Sequence, residues 1–298
     1  MFNGVIIIDK EPGFTSHDVV AKMRGICGQK KIGHTGTLDP MATGVLPICL
    51  GSGTRLCDML ADRNKEYIAE LLLGMETDTQ DITGHVLART SVEVTEAAVR
   101  AVCESFRGEY EQIPPMYSAL KVDGKKLYEL ARAGKEVERK ARPVKIFELE
   151  ILECRLPVVK MRVVCSKGTY IRTLCADIGA GLGCGGTMQS LRRTVVGQFT
   201  LENALTLEQL QQYKDRGRLE EIVLPVDSVF EDCPVLHASG ENGRFLDNGN
   251  VLYPRQTEEK RLYEPGQWVR FYRADGSFAG IYAYDGQRQL YKPVKMFL

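Results

Sequence analysis

A chain of 298 residues with 44 % hydrophobic and 26 % charged side chains is longer than one minimal domain and has the make-up of an ordinary folded protein. Disorder is therefore excluded, and one large domain with a small companion is expected. The formal net charge is zero, which argues against a uniformly basic nucleic-acid binder.

In chain order, MFNGVIIIDKEPG carries only four consecutive apolar residues before charge resumes, too few for a signal peptide, and no run reaches the roughly 18 to 20 that a membrane helix needs. A cytoplasmic protein with no membrane contact is the expectation. NGVIIIDK reads as a buried strand. Thr15 then opens a helix with Asp18 as capping-box partner and Val19, Val20, Met23, Ile26 and Cys27 as its apolar stripe. GHTGTLDPMATG (33–44) follows as a loop, VLPICLG as a short strand, Leu56–Leu60 as a short helix, and KEYIAELLLG as a central strand that starts near Tyr67.

A Thr95-capped helix spans 95–107, and KIFELEILEC and VVKMRVVCS alternate as half-buried antiparallel strands do. Before these strands lies a short helix at 125–133, ended by Gly134. Ile171, Leu174, Cys175 and Ile178 mark another helix, SLRRTVVGQF a strand, and Thr206 with Gln209 one more helix start. The order predicts an α+β fold on a mixed, mostly antiparallel sheet flanked by helices. Beyond Cys233–Pro234 only strand-length segments and turns remain, Asp275–Gly276 forming a hairpin turn. This divides the chain into a domain over 1–233 and a small β-barrel over 234–298.

Nine scattered cysteines, never spaced CxxC, read as reduced thiols, and four histidines stand apart from them, so no metal site is expected. The neutral total hides an asymmetry. From Lys121 to Lys145 there are nine basic and four acidic side chains, whereas 61–100 holds eight acidic and four basic. The basic stretch can track phosphates or simply be a solvated helix and loop.

The glycines of GHTGTLDPMATG do not form a phosphate loop, because no Gly-Lys-Ser/Thr closes it. Asp39 on its own reads as the carboxylate of an Asp-Pro turn capping nearby amides. To act as a nucleophile it needs a cation, and Arg172 in CSKGTYIRTL, at the edge of its helix's apolar stripe, is the candidate. Singly, Tyr67 and Tyr170 read as core aromatics and His34 as a turn residue. PPMYSALK (114–121) reads as a rigid loop beside the basic stretch.

In order, IDKEPGFTSHDVV, KIGHTGTLDPMATGVLPICLG, KEYIAELLLG, ETDTQDITG, IPPMYSALKVDGKKLYELAR, CSKGTYIRTLCADIG and LRRTVVGQF resemble the tRNA pseudouridine synthase B family, over almost all of residues 4–199. The resemblance implies isomerisation of uridine 55 in the T loop of tRNA by base flipping, without redox cofactor or metal. It implies a pseudouridine-synthase-like catalytic domain with an RNA-binding insertion at about 108–145, and a C-terminal barrel of the PUA type. By position it implies Asp39 as nucleophile, Arg172 as its ion-pair partner and Tyr67 stacked on the uracil and moving a proton. Tyr170 and Leu191 would line the uracil pocket, His34 would replace the extruded base, and Lys10 would shape the site. Attack at C1', attack at C6 and a glycal route all stay open. The implied partner is the T arm of tRNA, bound by a monomer with no obligatory protein partner. The alternatives are a guide-RNA-dependent pseudouridine synthase subunit and a non-catalytic tRNA-binding or folding protein.

Overall fold

The computed structural model describes residues 1–122 and 124–298; Asp123, counted above in the basic stretch, lies outside the described residues. Local chemistry sets the boundaries of the first elements. Strand β1 (Gly4–Lys10) is the apolar run before the EPG turn, and helix α1 (Ser16–Cys27) starts where Thr15 and Asp18 each take the other's backbone N–H. Strands β2 (Ile32–His34) and β3 (Thr43–Leu50) then bracket the GHTGTLDPMATG segment. Gly33, His34, Thr43 and Gly44 thus belong to strands and not to the loop the sequence suggests, because both ends pair in the sheet.

Helix α2 (Cys57–Ala61) leads into β4 (Lys65–Leu73), the small hairpin β5 (Met75–Thr77) and β6 (Val86–Arg89), helix α3 (Glu96–Ser105) and strand β7 (Gly108–Gln112). In the basic segment, β8 (Lys121–Val122) pairs with β9 (Lys125–Lys126), and helix α4 (Leu127–Arg132) follows. That helix is shorter than the expected 125–133, since Lys125 and Lys126 are engaged in the strand pair. Then come β10 (Arg142–Arg155), β11 (Val158–Cys165), α5 (Ile171–Gly181), β12 (Gly186–Val196), β13 (Phe199–Thr200) and α6 (Leu207–Asp215).

The main sheet runs β1-β3-β12-β4-β11-β10-β7, with β2 on β3 and β13 on β12. Its pairs are antiparallel except β3 with β12, so the mixed α+β expectation holds. β4 is central, and its residues alternate: Lys65, Tyr67, Ala69, Leu71 and Leu73 are buried while Glu66, Ile68, Glu70 and Leu72 meet solvent in part. The buried face joins residues of α1, α3, α5 and α6 in one apolar core. α5 lies directly on β12, because a Cβ on Gly179 would come within 2.2 Å of the Gly186 nitrogen. Glycine at that crossing lets the helix that carries Arg172 sit directly against the sheet.

The tail holds β14 (Val235–His237), helix α7 (Gly243–Asp247), β15 (Trp268–Tyr272), β16 (Phe278–Asp285) and β17 (Leu290–Met296). It forms a separate four-stranded sheet ordered β14-β15-β16-β17, and α7 corrects the expectation of strands alone. Ile281 and Phe297 pack with Val5, Val45, Leu56 and Phe230, so an apolar core joins this sheet to the outer side of β1 and β3.

Candidate active site

Asp39 sits in a loop that is pinned on both sides. The Leu38 N–H donates to Ser16 Oγ at 2.9 Å. The Pro40 carbonyl accepts from Gly13 N–H at 2.9 Å and from Lys10 Nζ at 2.9 Å. Asp39 itself opens a turn closed by the Ala42 N–H on its carbonyl at 3.1 Å, with Pro40 where a type I turn favours proline. The Asp39 side chain, however, caps no turn amide. It is gripped by Arg172, Nε on Oδ2 at 3.0 Å and Nη2 on Oδ1 at 3.2 Å. The turn-cap reading fails because this fork supplies two charge-assisted bonds in fixed geometry.

Arg172 is not at the core's edge, as its helix stripe suggested, but buried, its side chain 6 % exposed. Burying a guanidinium requires its donors to be met. Nη2 also donates to the Tyr117 carbonyl at 2.8 Å, and Nη1 donates to the Thr79 carbonyl at 3.1 Å with Asp81 Oδ2 at 3.6 Å. Asp81 faces Arg172 with Oδ2 because its Oδ1 already accepts from Thr79 Oγ1, Thr83 N–H and Thr83 Oγ1. The start of α5 has no side-chain cap of its own. The amide of buried Gln112 closes it, accepting from Tyr170 N–H at 2.8 Å and donating to the Tyr170 carbonyl at 3.0 Å.

Asp39 remains 36 % exposed through one open side. The surrounding protein still raises its carboxyl above the ordinary aspartate range, a burial effect that Arg172 and Lys10 oppose and Asp81 adds to. Lys10 is fully buried at the end of β1, its three donors on the carbonyls of Glu11, Phe14 and Pro40 at 3.0, 2.7 and 2.9 Å. Burial lowers its ammonium to about 8, against the pull of Asp39. Lys10 thus fixes the loop from behind.

Tyr67 and Tyr170 both lie within the field of Asp39. Burial pushes the Tyr67 phenol up to about 12, so it stays protonated, and burial raises Tyr170 as well. Leu191 pairs across from Ala69, and Arg193 across from Tyr67, so Leu191 shares the buried face with both. His34 is placed differently, its ring edge-on to His17 with centroids 5.2 Å apart, and Nδ1 accepting from Gly36 N–H. Burial and the neighbouring His17 lower its pKa, which leaves a neutral imidazole.

The sequence reading did not single out Thr79, Asp81, the Tyr117 carbonyl, Gln112 or Arg193. Carbonyl and amide partners leave no signal in a sequence. Arg193 did leave one: two consecutive arginines on a strand must face opposite sides, so one of Arg192 and Arg193 enters the buried face. It is Arg193, 2 % exposed, with Nε on the Val45 carbonyl at 2.7 Å and its guanidinium beside Tyr67. A register shift between Arg193 and Val195 marks the same spot. Gly44 is needed there, at φ +103°, since a Cβ would meet the Arg193 carbonyl at 2.1 Å.

Residues 24–171 match the N-terminal domain of the TruB family of pseudouridylate synthases, and 172–231 match the tRNA pseudouridylate synthase B C-terminal domain. The chain is 50 % identical over 306 residues to tRNA pseudouridine synthase B of Lachnoclostridium phytofermentans, covering 99 % of this chain and all of that one. It is 43 % identical to the protein of the same name from Cupriavidus metallidurans, over 94 % of this chain and 90 % of that one. Among solved structures, one chain of a Cbf5-Nop10-Gar1 complex superposes with a TM-score of 0.75 at 28 % identity, over 99 % of this chain and 85 % of that one. One from an H/ACA RNP bound to a substrate RNA containing 2'-deoxyuridine gives 0.74 at 27 %, with the same coverage. The fold is that of a pseudouridine-synthase-like α+β protein. The chain belongs to the TruB family of pseudouridylate synthases.

Proposed function

We propose that Asp39 is the nucleophile of the reaction this family carries out, the isomerisation of uridine 55 of tRNA to pseudouridine. The observation that carries this reading is the fork between Arg172 and Asp39, in which a half-open carboxylate is held rigidly by a buried cation. The reaction breaks the N1–C1' bond, turns the base and joins C5 to C1'. The proton on C5 leaves and N1 is protonated, so composition is unchanged. A carboxylate serves any of three routes: attack on C1', attack on C6, or a glycal formed after removal of a C2' proton. In each, Arg172 keeps Asp39 aligned, and the bound base covers the open side of the carboxylate.

The target base must leave the loop stack, at about a few kcal/mol. Tyr67 offsets this by stacking on the uracil, and Tyr170 and Leu191 line the pocket. Protonated at neutral pH, the Tyr67 hydroxyl passes a proton on and does not act as a standing base. His34, neutral, fills the gap left by the flipped base. Lys10 shapes the site by holding Pro40.

We assign residues 1–233 to the catalytic domain, with 108–145 as its RNA-binding insertion. Residues 234–298 form a PUA-like barrel that contacts the acceptor end. Lys121, Lys125, Lys135 and Lys140 are exposed in the insertion and grip the T arm. The protein acts as a monomer, without a guide RNA or protein partner. The test is purified chain with a tRNA transcript tritiated at uracil C5. Label release by the wild type and none by Asp39→Asn, both binding tRNA alike, is expected. Release by Asp39→Asn would overturn the nucleophile, and a requirement for added guide RNA would favour the guide-dependent alternative.

A further inference from the structure

Resting on the assignment of Asp39 and Arg172 as the catalytic pair, we propose that Gln80 is a positioning residue that sets where Arg172 holds its guanidinium. Its backbone is unusual. Among the described residues only Gln80, Lys260 and Gln289 take positive φ without being glycine, and Gln80, at φ +63°, lies beside the site. A left-handed backbone at a residue with a side chain is strained relative to the right-handed form and persists where surrounding contacts fix it.

The reversal at Gln80 has a definite product. The residues on either side, Thr79 through its carbonyl and Asp81 through its carboxylate, converge on one atom, Arg172 Nη1, at 3.1 and 3.6 Å. An extended residue between them would point the two groups apart. The turn is also clipped to the sheet. The Gln80 carbonyl accepts from Met188 N–H, and Ile82 N–H donates to the Met188 carbonyl, both at 3.0 Å.

Glycine would make this turn without strain. The side chain supplies what glycine lacks: Gln80 Oε1 accepts from Thr173 Oγ1 at 2.7 Å. Thr173 is buried and follows Arg172 in the first turn of α5. Gln80 therefore binds the helix that carries Arg172 while its backbone brings that arginine's partners into place. The strained conformation and the side-chain bond together fix one guanidinium against both the hairpin loop and α5.

This predicts a loss of rate with little change in stability, which a residue needed only for folding does not give. In single-turnover tritium release, Gln80→Gly should lose roughly tenfold to a hundredfold in rate, as small misplacements of catalytic groups do. Its melting temperature should change little, because relief of the left-handed strain offsets the loss of the Thr173 hydrogen bond. Dissociation constants for tRNA should stay within about twofold, since Gln80 only orients Arg172.

Gln80→Leu, which keeps the strain and loses the acceptor, should show the same loss of rate. Thr173→Val should match it, Thr173→Ser should keep the wild-type rate, and the Gln80→Leu/Thr173→Val double variant should be no slower than either single one. A wild-type rate in Gln80→Gly or Gln80→Leu would overturn the proposal. So would a loss of rate accompanied by equal losses of melting temperature and tRNA affinity, or additive losses in the double variant. Asp39→Asn runs in the same assay. If it is active, the underlying reading fails; if it is inactive while the Gln80 variants are normal, only this inference does.

Discussion

Two arginines of this chain gather carboxylates, on opposite faces of one sheet. Arg162, on the outer face of β11, reaches Glu66, Glu148 and Glu150 at 3.0, 2.6 and 3.0 Å, and its own side chain is 27 % exposed. Arg172, under the inner face, has one forked carboxylate, a second at 3.6 Å and two backbone carbonyls. At Arg162 three anions surround one cation in contact with solvent, and the hydrogen bonds it donates to Glu148, Glu150 and Glu66 raise its pKa further. At Arg172 carbonyls take donors that carboxylates take outside, and Asp39 is left with a raised pKa and an open side. The same pairing is a solvent-facing brace in one place and the proposed catalytic pair in the other. The difference lies in how many partners are neutral and how little water reaches them.

The largest expected effect tests the inner pair. Arg172→Lys keeps the charge and loses the fork, so kcat should fall by roughly 10²–10³-fold in single-turnover label release while tRNA affinity holds. A variant with full activity would reduce Arg172 to another Arg162.

The next concerns grip rather than chemistry. Changing Lys121, Lys125, Lys135 and Lys140 to alanine should weaken tRNA binding at least about tenfold and make its salt slope shallower by up to roughly 3, with the rate at saturating tRNA preserved. Filter binding across a salt series measures this, and an unchanged slope would remove the basic segment from the interface.

pH sharpens the contrast further. Because burial raises Asp39, its ionised form is lost on acidification at a higher pH than the 3.8 of an ordinary aspartate, and the acid limb of kcat/KM should lie above that value. Asp81→Asn removes a nearby negative charge and should move the limb to lower pH. On the alkaline side, activity should decline as Lys10 loses its proton near 8 and a loop carbonyl loses its donor, a limb that Lys10→Met should abolish along with part of the rate.

The smallest effect falls on the brace. Arg162→Gln should leave kcat and KM unchanged and cost no more than about 1 kcal/mol by thermal or urea unfolding, since solvent screens the cluster. An activity defect there would mean that the outer face is coupled to the site.

What the residues alone determined is the part written in local chemistry. Capping boxes at Thr15 and Thr206, alternation along β4 and β11, and the Asp275–Gly276 hairpin depend on near neighbours, and each stands where the sequence puts it. Along β10 two register shifts break the expected alternation and leave Phe147 and Leu152 exposed. The GHTGTLDPMATG loop and the SKGTYIRTL helix start were legible as a family signature. Their side chains, read one at a time, favoured a turn cap and an edge arginine. Tertiary structure decided the rest. It alone buries Arg172 beneath the hairpin loop, supplies the carbonyls of Thr79 and Tyr117, and turns Arg193 inward beside Tyr67. Those partners are backbone groups and strand faces brought together from across the chain, and backbone groups carry no identity in a sequence. Whether Asp39 caps a turn or stands as a nucleophile therefore depends on which distant cation the fold delivers to it.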